Sequence, residues 1–322
     1  MEQEKIEEIM EFLRNFISFK DEGEGVFPEI RGVVNSIIPI FYKICPQIKD
    51  ELKDAEELQN FQQAIHYICD GCRIHNVAEI VWDGDKDERY ISVYETFLPL
   101  FWSLCYFVLY TYDNCYAKKV QSGDYEGKIN FDEPGAQLAQ KLWTFGCNLK
   151  SRVNSWPEEC PKPVDHDDLV EKANALFCYG MSFILYHEVG HLLNWHLDKG
   201  PSIQNEQEAD DFAIEKCLAY DPEDSNEYET MKNGIVLALI SLCLLDPSAG
   251  GDDMIHPNTE DRLQKALNKM QLADDDLTWM IAAYGILIWF NEFRFDVVFE
   301  SEYDTPKAYF DAVINHFREK IR

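Results

Sequence analysis

A chain of 322 residues, 46% of them apolar, can bury a sizeable core as one large domain or two modest ones, and its composition excludes a disordered chain. Its formal net charge of −30 argues against nucleic acid and anionic lipid, partners that need a cationic surface. The acidity otherwise serves solubility.

The chain begins with a charged amphipathic segment. Ile6, Ile9, Met10, Leu13 and Phe16 recur at helical spacing and predict a helix over residues 2–19. That layout is not a secretory signal. Ten scattered cysteines without a dense framework add the expectation of a reducing cytoplasm with free thiols. A polar break over 20–25 precedes two expected helices, 30–44 and 51–68, the second striped with Leu52, Leu58, Phe61 and Ile65. Residues 1–75 read as an N-terminal helical region and 76–322 as the domain that carries chemistry. His66 and His75 have no ligand-spaced partner and read as structural. Cys69-Asp70-Gly71-Cys72 is a lone CxxC, which reads as ordinary thiols near a turn.

Residues 77–82 and 89–94 predict two strands around Asp83-Gly84-Asp85-Lys86-Asp87. Those aspartates lack the ligand spacing and closing glutamate of a calcium loop, so the segment reads as a hairpin turn. Residues 97–112 predict a buried helix. Pro99, Ser103 and Thr111 interrupt it, and no apolar run reaches the roughly 18 residues of a membrane span. A loop over 122–131 and a helix over 134–147 follow. Pro157, Pro161 and Pro163 then forbid a helix and predict a rigid extended loop.

Asp168-Leu169-Val170-Glu171 fits a capping box, so a helix starts near Asp168, runs apolar on nearly every side, and stops at Lys199-Gly200-Pro201. Inside it lies His187-Glu188-Val189-Gly190-His191. Two histidines four positions apart share one helical face and can clamp one zinc ion. Glu188, one step round, can take the proton from a zinc-activated water as general base. The five residues alone also occur by chance in unrelated helices. Gly190 at mid-helix costs about 1 kcal/mol against alanine and suggests close packing.

A second helix is expected over 205–213. There Glu206 can be the third zinc ligand, leaving one position open, and Asp210, on the same face, can hold the second N–H of a ligating histidine. Glu208 points about 200° away from Glu206 and is the weaker alternative for third ligand. Both also fit an acidic solvated face. His256 precedes another helix, capped by Asn258 or Thr259, with Arg262 in its first turns. A histidine donor and an arginine fork suit an oxyanion, a substrate carbonyl or the Asp210 carboxylate, which makes His256 and Arg262 candidate catalytic residues. His196, on the flank of the His-Glu-x-x-His helix, reads as packing or support. His166 and His316 read as surface residues and Trp156 as a loop anchor. Helices over 233–245, 263–270, 279–293 and 306–321 complete a mainly α fold with one small antiparallel sheet.

The set His187, His191, Glu206 and Asp210 is similar to that of the gluzincin metallopeptidases. Glu208-Ala209-Asp210, followed by His256-Pro257 and Arg262, resembles their small, largely helical branch. Within it the sequence resembles the Lit-type phage-exclusion peptidases. The matching pieces are Ser155-Trp156-Pro157-Glu158-Glu159-Cys160-Pro161-Lys162-Pro163, the two zinc-spaced histidines with His196 five residues beyond, and the later motifs in the same order. The resemblance spans roughly residues 77–270 and leaves the N-terminal helices and the last fifty or so residues unmatched. It implies a cytoplasmic zinc endopeptidase with a minigluzincin-like core on the His-Glu-x-x-His helix. It further implies a protein substrate, elongation factor Tu, cut when a phage-derived peptide activates the enzyme. Two other readings differ in class or target. One is a binding protein with a spent site, which would need neither the ligand set nor Glu188. The other is a regulatory protease cutting a repressor, whose usual DNA-binding companion domain is not evident.

Overall fold

The structure, a computed structural model, describes residues 17–21, 27–69, 71–117, 132–245, 258–292 and 303–321. Its first element is strand β1 (Ile17–Asp21), so the end of the helix expected over 2–19 is extended. The rest of that expectation lies outside the described residues. Helices α1 (Pro28–Val34) and α2 (Ile37–Ile44) replace the single helix expected over 30–44, with a turn at Asn35 and Ser36 between them. Helix α3 (Ile48–Gln59) stops at Asn60, whose φ of 50° and ψ of 43° are left-handed, a conformation asparagine tolerates better than most residues.

Beyond Asn60 the chain is strand β2 (Phe61–Cys69), where a helix was expected to continue to residue 68. Phe61 and Ile65 satisfy both periods, since residues four apart share one face of a helix and one face of a strand. Burial of Phe61, Ile65, Tyr67 and Cys69 follows the strand's period of two. Strands β3 (Ala78–Asp83) and β4 (Glu88–Tyr94) form the expected hairpin, its turn closed by the Lys86 N–H donating to the Asp83 carbonyl at 3.2 Å.

The sheet order is β1-β2-β4-β3. β1–β2 and β2–β4 run parallel and only β3–β4 runs antiparallel. The small antiparallel sheet expected from sequence is therefore a mixed, mostly parallel one. The hairpin was its visible part. The parallel strands are joined by long connections, here α1 to α3 between β1 and β2, because parallel pairing requires a crossover. β3 lies at the edge.

The remainder is helical: α4 (Phe97–Tyr110) with a π-helical turn over Thr111–Ala117, α5 (Pro134–Asn148), α6 (Asp168–Leu193), α7 (His196–Lys199), α8 (Ile203–Leu218), α9 (Ser225–Leu245), α10 (Thr259–Lys269), α11 (Thr278–Glu292) and α12 (Pro306–Ile321). The loop expected over 122–131 lies outside the described residues. The protein is mainly helical around α6. Phe177 of α6 meets Phe101 of α4, ring centroids 5.5 Å apart, and Tyr186 stacks on Phe41 of α2 at 4.3 Å. Helix α9 crosses α6 backbone to backbone: a Cβ on Gly234 would meet the Leu176 carbonyl at 2.9 Å and the Gly180 nitrogen at 3.0 Å. By length and composition α9 could cross a membrane, where the sequence reading expected no span. In this fold 67% of its apolar window is buried.

The proline-rich segment is an irregular loop, as expected. Trp156 is buried, its indole N–H donating to the Pro161 carbonyl at 3.2 Å and its ring 5.5 Å from Trp102 and 5.3 Å from Phe145. Asn174 of α6 donates to the Pro163 carbonyl at 2.8 Å and accepts from the Trp102 indole at 2.7 Å. The loop thus clamps α6 to α4, more than three helical turns before the histidines.

Candidate active site

Helix α6 is capped by Asp167, whose side chain accepts from the Leu169 N–H at 2.9 Å, one residue before the cap expected. It ends at Leu193, earlier than the expected stop at Lys199. Trp195 then adopts φ 58°, ψ 34°, a left-handed conformation that costs a bulky residue about 1–3 kcal/mol. This reversal starts α7 and carries His196 back beneath His191. Gly200, at φ 78°, completes the turn, and Asn205 fastens it by donating to the Gly200 carbonyl at 2.7 Å. Ser202 caps α8 by accepting from the Asn205 N–H at 3.2 Å. Gly190 then lets the returning helix in: a Cβ there would meet the Ala209 Cα at 3.0 Å and its carbonyl at 3.2 Å.

That approach brings His187, His191 and Glu206 together, with one ligand atom of each within 4.8 Å of the others. His187 Nε2 lies 3.3 Å from Glu206 Oε2, His191 Nε2 lies 3.3 Å from Glu206 Oε1, and the two Nε2 atoms lie 3.1 Å apart. His187 Nδ1 donates to Asp210 Oδ1 at 2.9 Å, so Nε2 is the ring nitrogen that faces the cluster. Two ring nitrogens and a carboxylate converging on one point form an electron-rich pocket that needs a cation. Burial of His187 opposes its protonation, yet hydrogen bonds to Asp210 and Glu206 outweigh burial and raise its pKa to about 9. The donor set therefore fits a divalent metal with two imidazoles and one carboxylate.

Asp210 is buried and is gripped from its other side by Arg262, Nε to Oδ2 at 2.8 Å and Nη2 to Oδ1 at 2.7 Å. Burial works against the charge on Asp210, but Arg262 and His187 overcome it and hold the carboxyl well below the usual aspartate range. Of the three partners the sequence allowed for the Arg262 fork, the structure shows Asp210.

Glu188 lines a cleft of about 380 Å³ with His187, His191, His196, Leu197 and Glu206. The opposite wall is Asn76 with Ala78, Glu79 and Ile80 of edge strand β3. Burial pushes the Glu188 carboxyl above its ordinary value, against the pull of His187 and His191. A carboxylate so placed is suited to take up a proton nearer neutrality.

Of the other sequence candidates, His256 lies outside the described residues. Glu208 is not in the ligand cluster; its Oε2 accepts from His196 Nε2 at 3.0 Å. His196 is buried, and its Nδ1 lies 3.1 Å from His191 Nδ1. Packing or support was the expectation for His196; the sequence did not name His191 and Glu208 as its partners. The signal available was the histidine at five residues beyond His191 together with a carboxylate between Glu206 and Asp210. His66 stacks on Tyr90 at 4.2 Å, while His75 and His166 are exposed and His316 is half-buried beside Glu319. None of these four joins the cluster.

Comparison with known proteins points to a peptidase. The profile of the family described as Peptidase U49 matches residues 91–282, more than half of the chain. A protein of Escherichia coli (strain K12) named "Cell death peptidase" is 30% identical over 112 residues, covering 33% of this chain and 36% of the relative. The aligned part thus spans about a third of that curated relative. No solved structure matches.

Proposed function

Because the chain belongs to the Peptidase U49 family, we propose that it is a zinc-dependent endopeptidase with a small gluzincin-type core. The observation that carries this reading is the convergence of His187, His191 and Glu206 beside Glu188 in one cleft. A bound zinc supplies Lewis acidity, polarising a peptide carbonyl and lowering the pKa of a water to about 7.

The chain's own residues do the rest. His187 and His191 present their Nε2 atoms and Glu206 its carboxylate as ligands. Asp210 fixes the His187 tautomer, and Arg262 keeps Asp210 ionised and in place. Glu188 accepts the proton of the attacking water and returns it to the leaving amine. With the Arg262 fork spent on Asp210, His256 is the sequence candidate for oxyanion stabilisation.

The resemblance to phage-exclusion peptidases supports a cytoplasmic enzyme that cuts elongation factor Tu when a phage-derived peptide appears, and the relative's name, "Cell death peptidase", supports a peptidase tied to cell death. The test is expression with and without phage challenge, with metal analysis of the purified chain. One equivalent of zinc and fragments of elongation factor Tu after infection are expected, both lost in His187→Ala. A chain without bound zinc sinks the metallopeptidase reading. Intact elongation factor Tu beside a different cleaved protein sinks only the substrate.

A further inference from the structure

We infer that His196 and Glu208 are positioning residues for His191, holding its imidazole in the tautomer and orientation that aim Nε2 at the metal site. The inference rests on the metal reading above and adds to it residues outside the ligand set.

The proton positions follow from the donors available. His191 Nε2 faces Glu206 at 3.3 Å, and its Nδ1 lies 3.1 Å from His196 Nδ1. One of those two Nδ1 atoms must donate to the other. His196 Nε2 lies 3.0 Å from Glu208 Oε2, and an ionised carboxylate only accepts, so His196 carries its proton on Nε2. The neutral His196 ring then offers Nδ1 as acceptor, and the His191 Nδ1–H donates to it. This is the tautomer that leaves the His191 Nε2 lone pair for a metal. Gln204 Nε2 donates to the second Glu208 oxygen at 2.8 Å and holds it still.

Helix α8 therefore serves both imidazoles from three acids spaced two apart. Glu206 is the ligand, Asp210 reaches His187 directly, and Glu208 reaches His191 through His196. Glu208 points away from Glu206, as its place on the helix requires. It still acts on the site because the left-handed Trp195 sets His196 between it and His191. The two arms differ in exposure: the Asp210 side chain is 4% exposed and the Glu208 side chain 41%.

The test is zinc affinity of the full chain by competition with a chromophoric chelator, together with 15N–1H spectra of the imidazoles in the zinc-loaded protein. His196→Phe and Glu208→Leu should each weaken zinc binding by about 10–100-fold. Glu208→Gln, which keeps an acceptor, should stay close to wild type. His191 should carry its proton on Nδ1 and His196 on Nε2. Glu208 is half-exposed, so its variants report even if the buried His196→Phe change prevents folding. Wild-type affinity in Glu208→Leu overturns the inference while leaving the metal reading intact. A His191 proton on Nε2 in the loaded protein overturns the inference and also removes His191 Nε2 from the ligand set. A wild-type chain that takes up no zinc overturns both.

Discussion

At the scale of single residues, chemistry and support separate cleanly. Glu188→Gln keeps every ligand, so metal analysis should still find one zinc while turnover falls by about 10²–10⁴-fold. Undiminished turnover in the zinc-replete variant would remove Glu188 from the mechanism. Because burial raises the Glu188 pKa and the base must be ionised, wild-type activity should fall on acidification at a higher pH than an ordinary glutamate would set. A pH–rate profile checks this, and a limb at the ordinary glutamate value would count against it. Asp210→Asn strips the buried Arg262 guanidinium of its charge partner, a change that costs about 3–5 kcal/mol in comparable buried pairs. Thermal denaturation and chelator competition should show lower stability and weaker zinc binding together. Much of this set was legible beforehand. His187, Glu188 and His191 follow from helical spacing, and Glu206 and Asp210 from a second helix with the same period. His196 reads from sequence as packing or support, but its partner does not, because the contact depends on a backbone reversal at Trp195 that no residue type there announces.

At the scale of elements, close approach of helices makes the site. Gly190→Ala gains about 1 kcal/mol of helix propensity but presses a methyl group against the Ala209 backbone, 3.0 Å from the ideal Cβ. Helix α8 must then shift and take Glu206 with it. Calorimetric melting and zinc titration should both register a loss, whereas a stabler protein with wild-type affinity would show that α8 can yield. The proline-rich loop acts elsewhere. Asn174→Ala leaves the Trp102 indole and the Pro163 carbonyl without their partner, costing about 1–3 kcal/mol, with zinc affinity expected unchanged. A change in affinity would mean that the clamp on α6 is felt at the histidines. This proline-rich piece of the family resemblance thus belongs to the scaffold. The helix expected over 51–68 runs into a strand because an apolar pair four residues apart, Phe61 and Ile65, fits helix and strand alike, and only pairing with β4 decides.

At the scale of the whole molecule, α6 is enclosed by α4, α8 and α9, and the mixed sheet supplies the far wall of the cleft through β3. The pair of buried Lys232 on α9 and half-buried Asp276 before α11, 2.9 Å apart, fastens the outer helices. Burial opposes the Asp276 charge, yet the Thr278 N–H and Lys232 hold its pKa below the ordinary value. Its contribution to stability is therefore present above the unfolded aspartate pKa of about 3.9 and is lost as pH falls through the lower folded value. Asp276→Asn should flatten that part of the stability–pH curve measured by denaturant unfolding. An unchanged acid slope would show that the pair does not carry it.

Periodicity and spacing in the sequence alone determined the helical class, the hairpin, the shared histidine face of α6 and the acidic face of α8, because each depends on neighbours within one or two helical turns. Contacts between distant segments decided the rest. Parallel pairing of β1, β2 and β4, the Arg262 grip on Asp210 and the path from His191 through His196 to Glu208 join segments whose approach no local pattern encodes.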